Sequence, residues 1–193
     1  MTLITISALR ASGASEKKAE ELLDPMRLAA AFYGVDTPLR IAHLLAQGGH
    51  ESGSYRFSKE IWGPTAAQAR YEGRKDLGNV QPGDGHRFCG RSYIQTTGRA
   101  NYVALRDRLR ERFVDVPDFE IDPEVLEQLP WCVIAAFDYW DMRNLNAAAD
   151  RDEFVLITRR VNGGENGIDD RRRRLVAIKA ALALGCEVQP HSV

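Results

Sequence analysis

Apolar residues recur every three to four positions through much of this chain, the spacing of helices that bury one face. "AEELLDPMRLAAAFYG" (residues 19–34) carries that spacing, is interrupted by Pro25 and stops at Gly34, so two helices with a break are predicted. Thr37 before Pro38 is an N-cap followed by proline at the first helical position, opening "PLRIAHLLAQGGHE". Along that helix Leu39, Ala42, Leu45, Ala46 and Gly49 share a face that Ile41, Leu44 and Gly48 widen, which predicts burial on most sides. From Gly63 to Gly90 the periodicity gives way to Gly, Pro, Asp and Asn, the composition of a long surface excursion. "RSYIQTT" (residues 91–97) has the β-formers and alternation of a short strand. Helices are predicted again at "ANYVALRDRLRERF", "PWCVIAAFDYWDMR", "RDEFVLITRRV" and "DDRRRRLVAIKAALAL". No repeat, low-complexity tract or long linker intervenes. The pattern predicts one mainly α domain over residues 1–193, with a small β element near its middle.

Composition adds exclusions. With 44% hydrophobic and 27% charged residues the 193-residue chain has the balance of a globular protein. Lys+Arg 26 against Asp+Glu 27 leaves a net charge of −1, with no overall field to draw nucleic acid. Runs such as "LAAAFY" and "CVIAAF" fall short of the roughly 20 apolar residues of a membrane span. The N-terminus has no positive charge ahead of its short apolar stretch, so no signal peptide is expected. Cys89, Cys132 and Cys186 form no CxxC pair and are expected to be reduced thiols in a cytosolic protein.

The chemistry concentrates in "AQGGHESGSYRFSKEIWGP" (residues 46–64). Glu51 closes an apolar helix at the end that carries roughly half a negative charge. Dipole and desolvation together favour its protonated form, as a general acid requires. The plainer reading is a solvated Glu at a frayed helix end. Glu60 comes nine positions later, near Lys59 and Arg56, which favour an ionised carboxylate. One protonated and one ionised carboxyl are the equipment for splitting a glycosidic bond. Tyr55, Phe57 and Trp62 offer faces for sugar rings, or are simply core. His43 and His50 lie seven apart on one helix, roughly 10 Å along its axis, too far to share one zinc. There is no GxSxG, and neither glycine-rich stretch ends in GK[ST]. Cys89 near His86 is a weak nucleophile pair, and "RRRR" (residues 171–174) reads as an exposed run.

With "AHLLAQGGHESGSYRFSKE", "RYEGRKDLGNVQPGDGHRFCGRSYIQTTGRANY" and "ITRRVNGGENGIDDRR" together, the chain resembles the family 19 glycoside hydrolases. These are chitinase-like enzymes that include many bacteriophage endolysins. "EIWGPTAAQARYEGRKDLGN" looks like the bacterial and phage branch. The resemblance spans residues 37–175, after N-terminal helices in 1–36, and implies a lysozyme-like α+β fold with a substrate cleft. It places the general acid at Glu51, the general base at Glu60 and the water-holding hydroxyl at Thr97. Substrate contacts fall on His50, Gln95, Asn101, Asn162 and Arg171. Ser92 and Thr96 depart from the family pattern, and strand alternation selects Thr97 over Thr96 for the water. Glu72 is a reserve base.

The resemblance implies an endolysin that hydrolyses β-1,4 bonds of peptidoglycan with inversion, using no cofactor or metal. It would bind no nucleic acid, insert stably into no membrane and act as a monomer. It would wait in the host cytoplasm until a separate pore-forming protein gives access to the wall. The alternatives are a chitinase acting on GlcNAc polymer and a non-catalytic glycan-binding module, the latter disfavoured by the presence of both Glu51 and Glu60.

Overall fold

The structure, a computed structural model, describes residues 3–184. Its α-helices are α1 (Ile6–Ala11), α2 (Glu16–Phe32), α3 (Pro38–Glu51), α4 (Ala66–Ala69), α5 (Asp84–Arg87), α6 (Arg99–Arg110), α7 (Trp131–Met142), α8 (Leu145–Asp150), α9 (Phe154–Asn162) and α10 (Ile168–Leu184). Short 3-10 turns cover Lys75–Leu77 and Pro123–Glu127. The chain divides into two compact units: residues up to Arg56 with those from Phe137 onward, and Phe57–Ala136.

In the first unit α3 packs against α10, α8, α9 and α1. Thr37 caps it, accepting from the Arg40 N–H at 3.2 Å, and every residue from Ile41 to Gly49 is buried, as the periodicity predicts. Gly49 is required where it stands, because a Cβ there would press into the Ser12 carbonyl at the end of α1. The break predicted at Pro25 is absent: α2 is continuous, with Pro25 inside it. Proline removes one bond and crowds the preceding turn, at a cost of about 3 kcal/mol. Leu22, Met26, Ala29 and Ala30 are buried on both sides of it, and that common face offsets the loss.

The second unit is built on Phe88, Tyr102, Leu105, Leu109, Phe119 and Leu126. Its surface excursion, residues 63–90, contains α4, α5 and one of the 3-10 turns. The strand predicted over 91–97 is a tight turn instead. Arg91 and Thr96 form an antiparallel bridge, Lys59 bridges Arg91, and these isolated bridges are the small β element. Ser92, at φ 80°, is left-handed, which ends any extended run after one residue. The Ser92 hydroxyl donates to the Cys132 carbonyl at 3.0 Å. The buried Arg91 side chain bonds Glu127 at 2.7 Å and the Tyr102 hydroxyl at 3.1 Å. Tertiary bonds thus override local β propensity.

His43 illustrates how α3 is held. Its side chain has no exposed surface, and its Nε2 lies 2.6 Å from Asp152 Oδ1, which Lys179 also grips. Burial pushes the imidazole below its ordinary 6.5, against the opposing pull of Asp152. The unfolded chain therefore takes up a proton near pH 6.5 before the folded protein does, so this contribution is present above that pH and lost below it. The melting temperature is expected to fall between pH 7 and 5.5, and to fall less in His43→Gln. An equal slope in both proteins would show that His43 carries none of the dependence.

Candidate active site

Glu51 is the last residue of α3, and Ser52 caps the helix end. The next three residues are all left-handed: Gly53 at φ 57°, Ser54 at 68° and Tyr55 at 60°. For Ser and Tyr this costs roughly 1–2 kcal/mol each. Several bonds offset the strain. The Tyr55 N–H donates to Ser52 Oγ at 2.8 Å, its hydroxyl to the Leu45 carbonyl at 3.1 Å, and Arg174 donates to Ser54 Oγ at 3.1 Å. Tyr55 is therefore core and not a sugar platform.

Arg171, in the first turn of α10, is wholly buried, unlike the exposed run its neighbours predict. Its guanidinium donates to Glu51 Oε1, to Gln47 Oε1 and, at 3.1 Å, to the Asn166 carbonyl. Gln47 Nε2 in turn reaches Thr158 Oγ1 at 3.1 Å. The structure thus gives Arg171 to Glu51 as a partner, whereas the resemblance made it a substrate contact. His50 Nδ1 lies 2.8 Å from Asp170, and Gly167 lies so close to the ring that a Cβ would overlap it. Burial opposes ionisation of Asp170, but Arg174, His50 and Arg173 outweigh it and hold the carboxyl well below the usual range. Asn162 ends α9, and its buried Oδ1 has no hydrogen-bond partner among the described residues.

In the second unit Glu60 sits beside Gly90 in a reciprocal arrangement. The Glu60 N–H donates to the Gly90 carbonyl at 2.8 Å, and the Gly90 N–H donates to Glu60 Oε1 at 2.7 Å. Gln68 Nε2 donates to Glu60 Oε2 at 3.3 Å. Lys59, expected to favour the Glu60 charge, turns to Glu127 at 3.1 Å. Gln95 and Thr97 also face Gly90, where an added Cβ would stand 3.2 Å from Thr97 Oγ1 and overlap Gln95 Oε1. The turn therefore gathers Glu60, Gln95 and Thr97 around one glycine. Strand alternation does not apply in a turn; Thr96 is buried while Thr97 is half-exposed. Asn101 Nδ2 donates to the Thr97 carbonyl at 2.7 Å, which ties the first turn of α6 to that residue. Glu72 is committed elsewhere, accepting from the Gly83 and Gly85 N–H groups at 2.7 and 2.8 Å. Trp62 packs on His86 and Tyr71 with centroids 4.8 and 6.3 Å apart, and Phe57 is exposed.

The chain as a whole is similar to known proteins. A glycosyl hydrolase family 19 domain-containing protein of Haemophilus influenzae is 33% identical over 167 residues, covering 72% of this chain and 78% of that protein. The chain belongs to glycoside hydrolase family 19. An endochitinase of Arabidopsis thaliana is 33% identical over 137 residues, 70% of this chain but 43% of its own length. Chitinase C from Streptomyces griseus shares the fold, with a TM-score of 0.70 at 20% identity over 94% of this chain and 77% of its own. No protein-family model matches the chain. This family 19 protein is thus a chitinase-like glycoside hydrolase with a mainly helical, lysozyme-like fold.

Sequence reasoning missed Gln47, Thr158, Asp170 and Gln68. Of these only Gln68 carried a signal, the T-x-x-Q spacing of a capping box after Pro64. Cys89 and Cys132 are buried and form no disulfide among the described residues, while Cys186 lies outside them. Burial pushes the Cys89 thiol up, which disfavours the thiolate a Cys89–His86 pair would need. Among the described residues no three His, Cys, Asp or Glu side chains converge as metal ligands.

Arg171→Met leaves the Glu51 carboxylate without its countercharge, whereas Arg171→Met with Glu51→Gln removes both charges. The single variant is expected to lose roughly 3 kcal/mol of stability, and the double variant to recover part of it. Additive losses in a denaturant double-mutant cycle would sink the idea that the pair is coupled.

Proposed function

We propose that this family 19 enzyme is a single catalytic domain over residues 1–193 that cleaves the β-1,4-linked glycan strand of peptidoglycan as an endolysin. The observation that supports the reading is the unlike hydrogen bonding of the carboxylates, a cation on Glu51 and neutral donors on Glu60. Among the described residues Glu51 accepts through Oε1 alone, from the Arg171 guanidinium, which leaves Oε2 open toward a leaving oxygen. That cation favours the ionised carboxylate, so the acid role rests on the family resemblance. Glu60 accepts through both oxygens, the pattern of an acceptor-only, ionised base. Glu51 then protonates the leaving oxygen while Glu60 takes a proton from water held by Thr97, a single displacement with inversion. His50, Gln95, Asn101 and Asn162 bind sugar, and Arg171 holds Glu51.

The peptidoglycan reading is supported by the phage-like stretch from Glu60 to Asn79. The enzyme would act as a monomer from the host cytoplasm and reach the wall through a separate pore-forming protein. No described helix is long and apolar enough to cross a membrane. A chitinase acting on GlcNAc polymer is the second reading, supported by the names of the Arabidopsis and Streptomyces relatives.

Glu51→Gln should fold with lowered stability, since Arg171 loses its countercharge, and lose roughly 10²–10⁴ in rate, because the amide donates no catalytic proton; a folded variant with more than a tenth of wild-type activity would remove Glu51 from the role. Purified peptidoglycan and chitin oligomers, compared with wild-type enzyme, should give faster release from peptidoglycan and first products as α-anomers by proton NMR. Faster chitin cleavage would move the reading to chitinase, and initial β-anomers would replace inversion by retention. Expressed alone in a bacterium, the protein should accumulate without lysing the culture. Prompt lysis would contradict the need for a pore.

A further inference from the structure

The segment after Glu60 folds back on it through one side chain. α4 opens with a reciprocal capping box: Thr65 Oγ1 accepts from the Gln68 N–H at 3.2 Å, and Gln68 Oε1 accepts from the Thr65 N–H at 2.8 Å. The same Gln68 oxygen accepts from the Gly63 N–H at 3.2 Å. Two backbone donors on one atom settle which end of the carboxamide is oxygen. Its Nε2 is therefore the donor, to the Ile61 carbonyl at 2.8 Å and to Glu60 Oε2 at 3.3 Å. Every hydrogen-bonding capacity of this buried amide is in use.

We propose that Gln68 is a positioning residue for Glu60, gripping the carboxylate oxygen that Gly90 does not hold and so fixing its rotation. This rests on the reading of Glu60 as the base. A neutral amide suits that task. It donates to the anion without bringing the positive charge that would weaken a base, and the nearby cation, Lys59, is drawn off by Glu127. The other titratable groups facing Glu60 are the Tyr71 phenol and the Cys89 thiol. Burial, then the Glu60 charge and a hydrogen bond the phenol makes to that carboxylate, push Tyr71 up, and burial chiefly pushes Cys89 up, so both stay neutral through the acidic range.

The test replaces the donor and keeps the acceptor. Gln68→Glu retains an oxygen for Gly63 and Thr65 but sets a second carboxylate against Glu60, and two like charges resist ionising together. Glutamate labelled with carbon-13 at Cδ, assigned with Glu60→Gln, follows the titration directly, alongside the pH profile of kcat/KM on peptidoglycan. In Gln68→Glu the pair should titrate in two steps, the upper about one pH unit or more above wild-type Glu60, and the acid limb of the profile should move with it. Gln68→Met removes the donor without adding charge and should move both in the same direction by less. A residue that merely caps α4 would lower stability or kcat and leave the titration where it was, and an unmoved Glu60 signal in either folded variant overturns the proposal. If the signal moves and the acid limb does not, the contact stands and Glu60 is not the base.

Discussion

A guanidinium without exposed surface organises the first unit. Taking the Arg171 charge out of water costs several kcal/mol, which is returned only if its donors meet well-placed acceptors. Glu51, Gln47 and the Asn166 carbonyl are those acceptors, drawn from the last turns of α3 and the segment between α9 and α10. The arrangement explains an acid at a helix C-terminus. The helix end disfavours Glu51 by about 0.3–1 kcal/mol, whereas breaking a buried ion pair costs roughly 3–5 kcal/mol. The pair decides the residue, and the helix dipole is the smaller term. Gln47 is one turn before Glu51 on α3 and passes the constraint on to Thr158 of α9.

Fixing Glu51 leaves the chain beyond α3 with little room. Gly49 leaves no room for even a Cβ beside the Ser12 carbonyl, and Arg174 bonds both that carbonyl and Ser54. The left-handed run Gly53–Ser54–Tyr55 turns the backbone sharply within that space. Its strain persists because Tyr55 is wholly committed: ring buried, amide on Ser52, hydroxyl on Leu45. Burial of the ring pushes that phenol above its ordinary range, so it remains a hydrogen-bond donor. The N-terminal helix α1 thus takes part in shaping the turn after the candidate acid, through one carbonyl.

What could be read from the sequence divides along local and tertiary lines. The cap at Thr37, the buried faces of α3 and the helical nature of most of the chain derive from spacing and capping chemistry, and all are present. Pro25 misled because a proline signal is local, while the apolar face that holds α2 together is a property of what it packs on. "RSYIQTT" misled for the same reason: the left-handed Ser92 and buried Arg91 answer to Cys132, Glu127 and Tyr102, forty or fewer positions away but invisible in the alternation. The candidate carboxylates lie together in one short segment, and it is the resemblance, not the segment's own chemistry, that singles them out. Their partners were not legible, since Arg171 lies 120 positions from Glu51 and looks like one member of a solvated run.

The two carboxylates are held by different chemistry, and the difference has a consequence. A guanidinium on Glu51 is a permanent charge that arrives with α10, so the orientation of that carboxyl depends on tertiary packing of the first unit. Glu60 is held by neutral donors only, the Gly90 N–H, the Gln68 amide and the Tyr71 phenol, all within the second unit. Hydrogen bonds from neutral donors stabilise the anion and leave it a proton acceptor, whereas a cation in contact would do so at the expense of basicity. Thr97 and Gln95 come to the same glycine through a turn whose geometry is set by Ser92 and Arg91. Glu60 and the Thr97 hydroxyl therefore share one frame, Gly90. A change in that turn would move both together before it altered either alone.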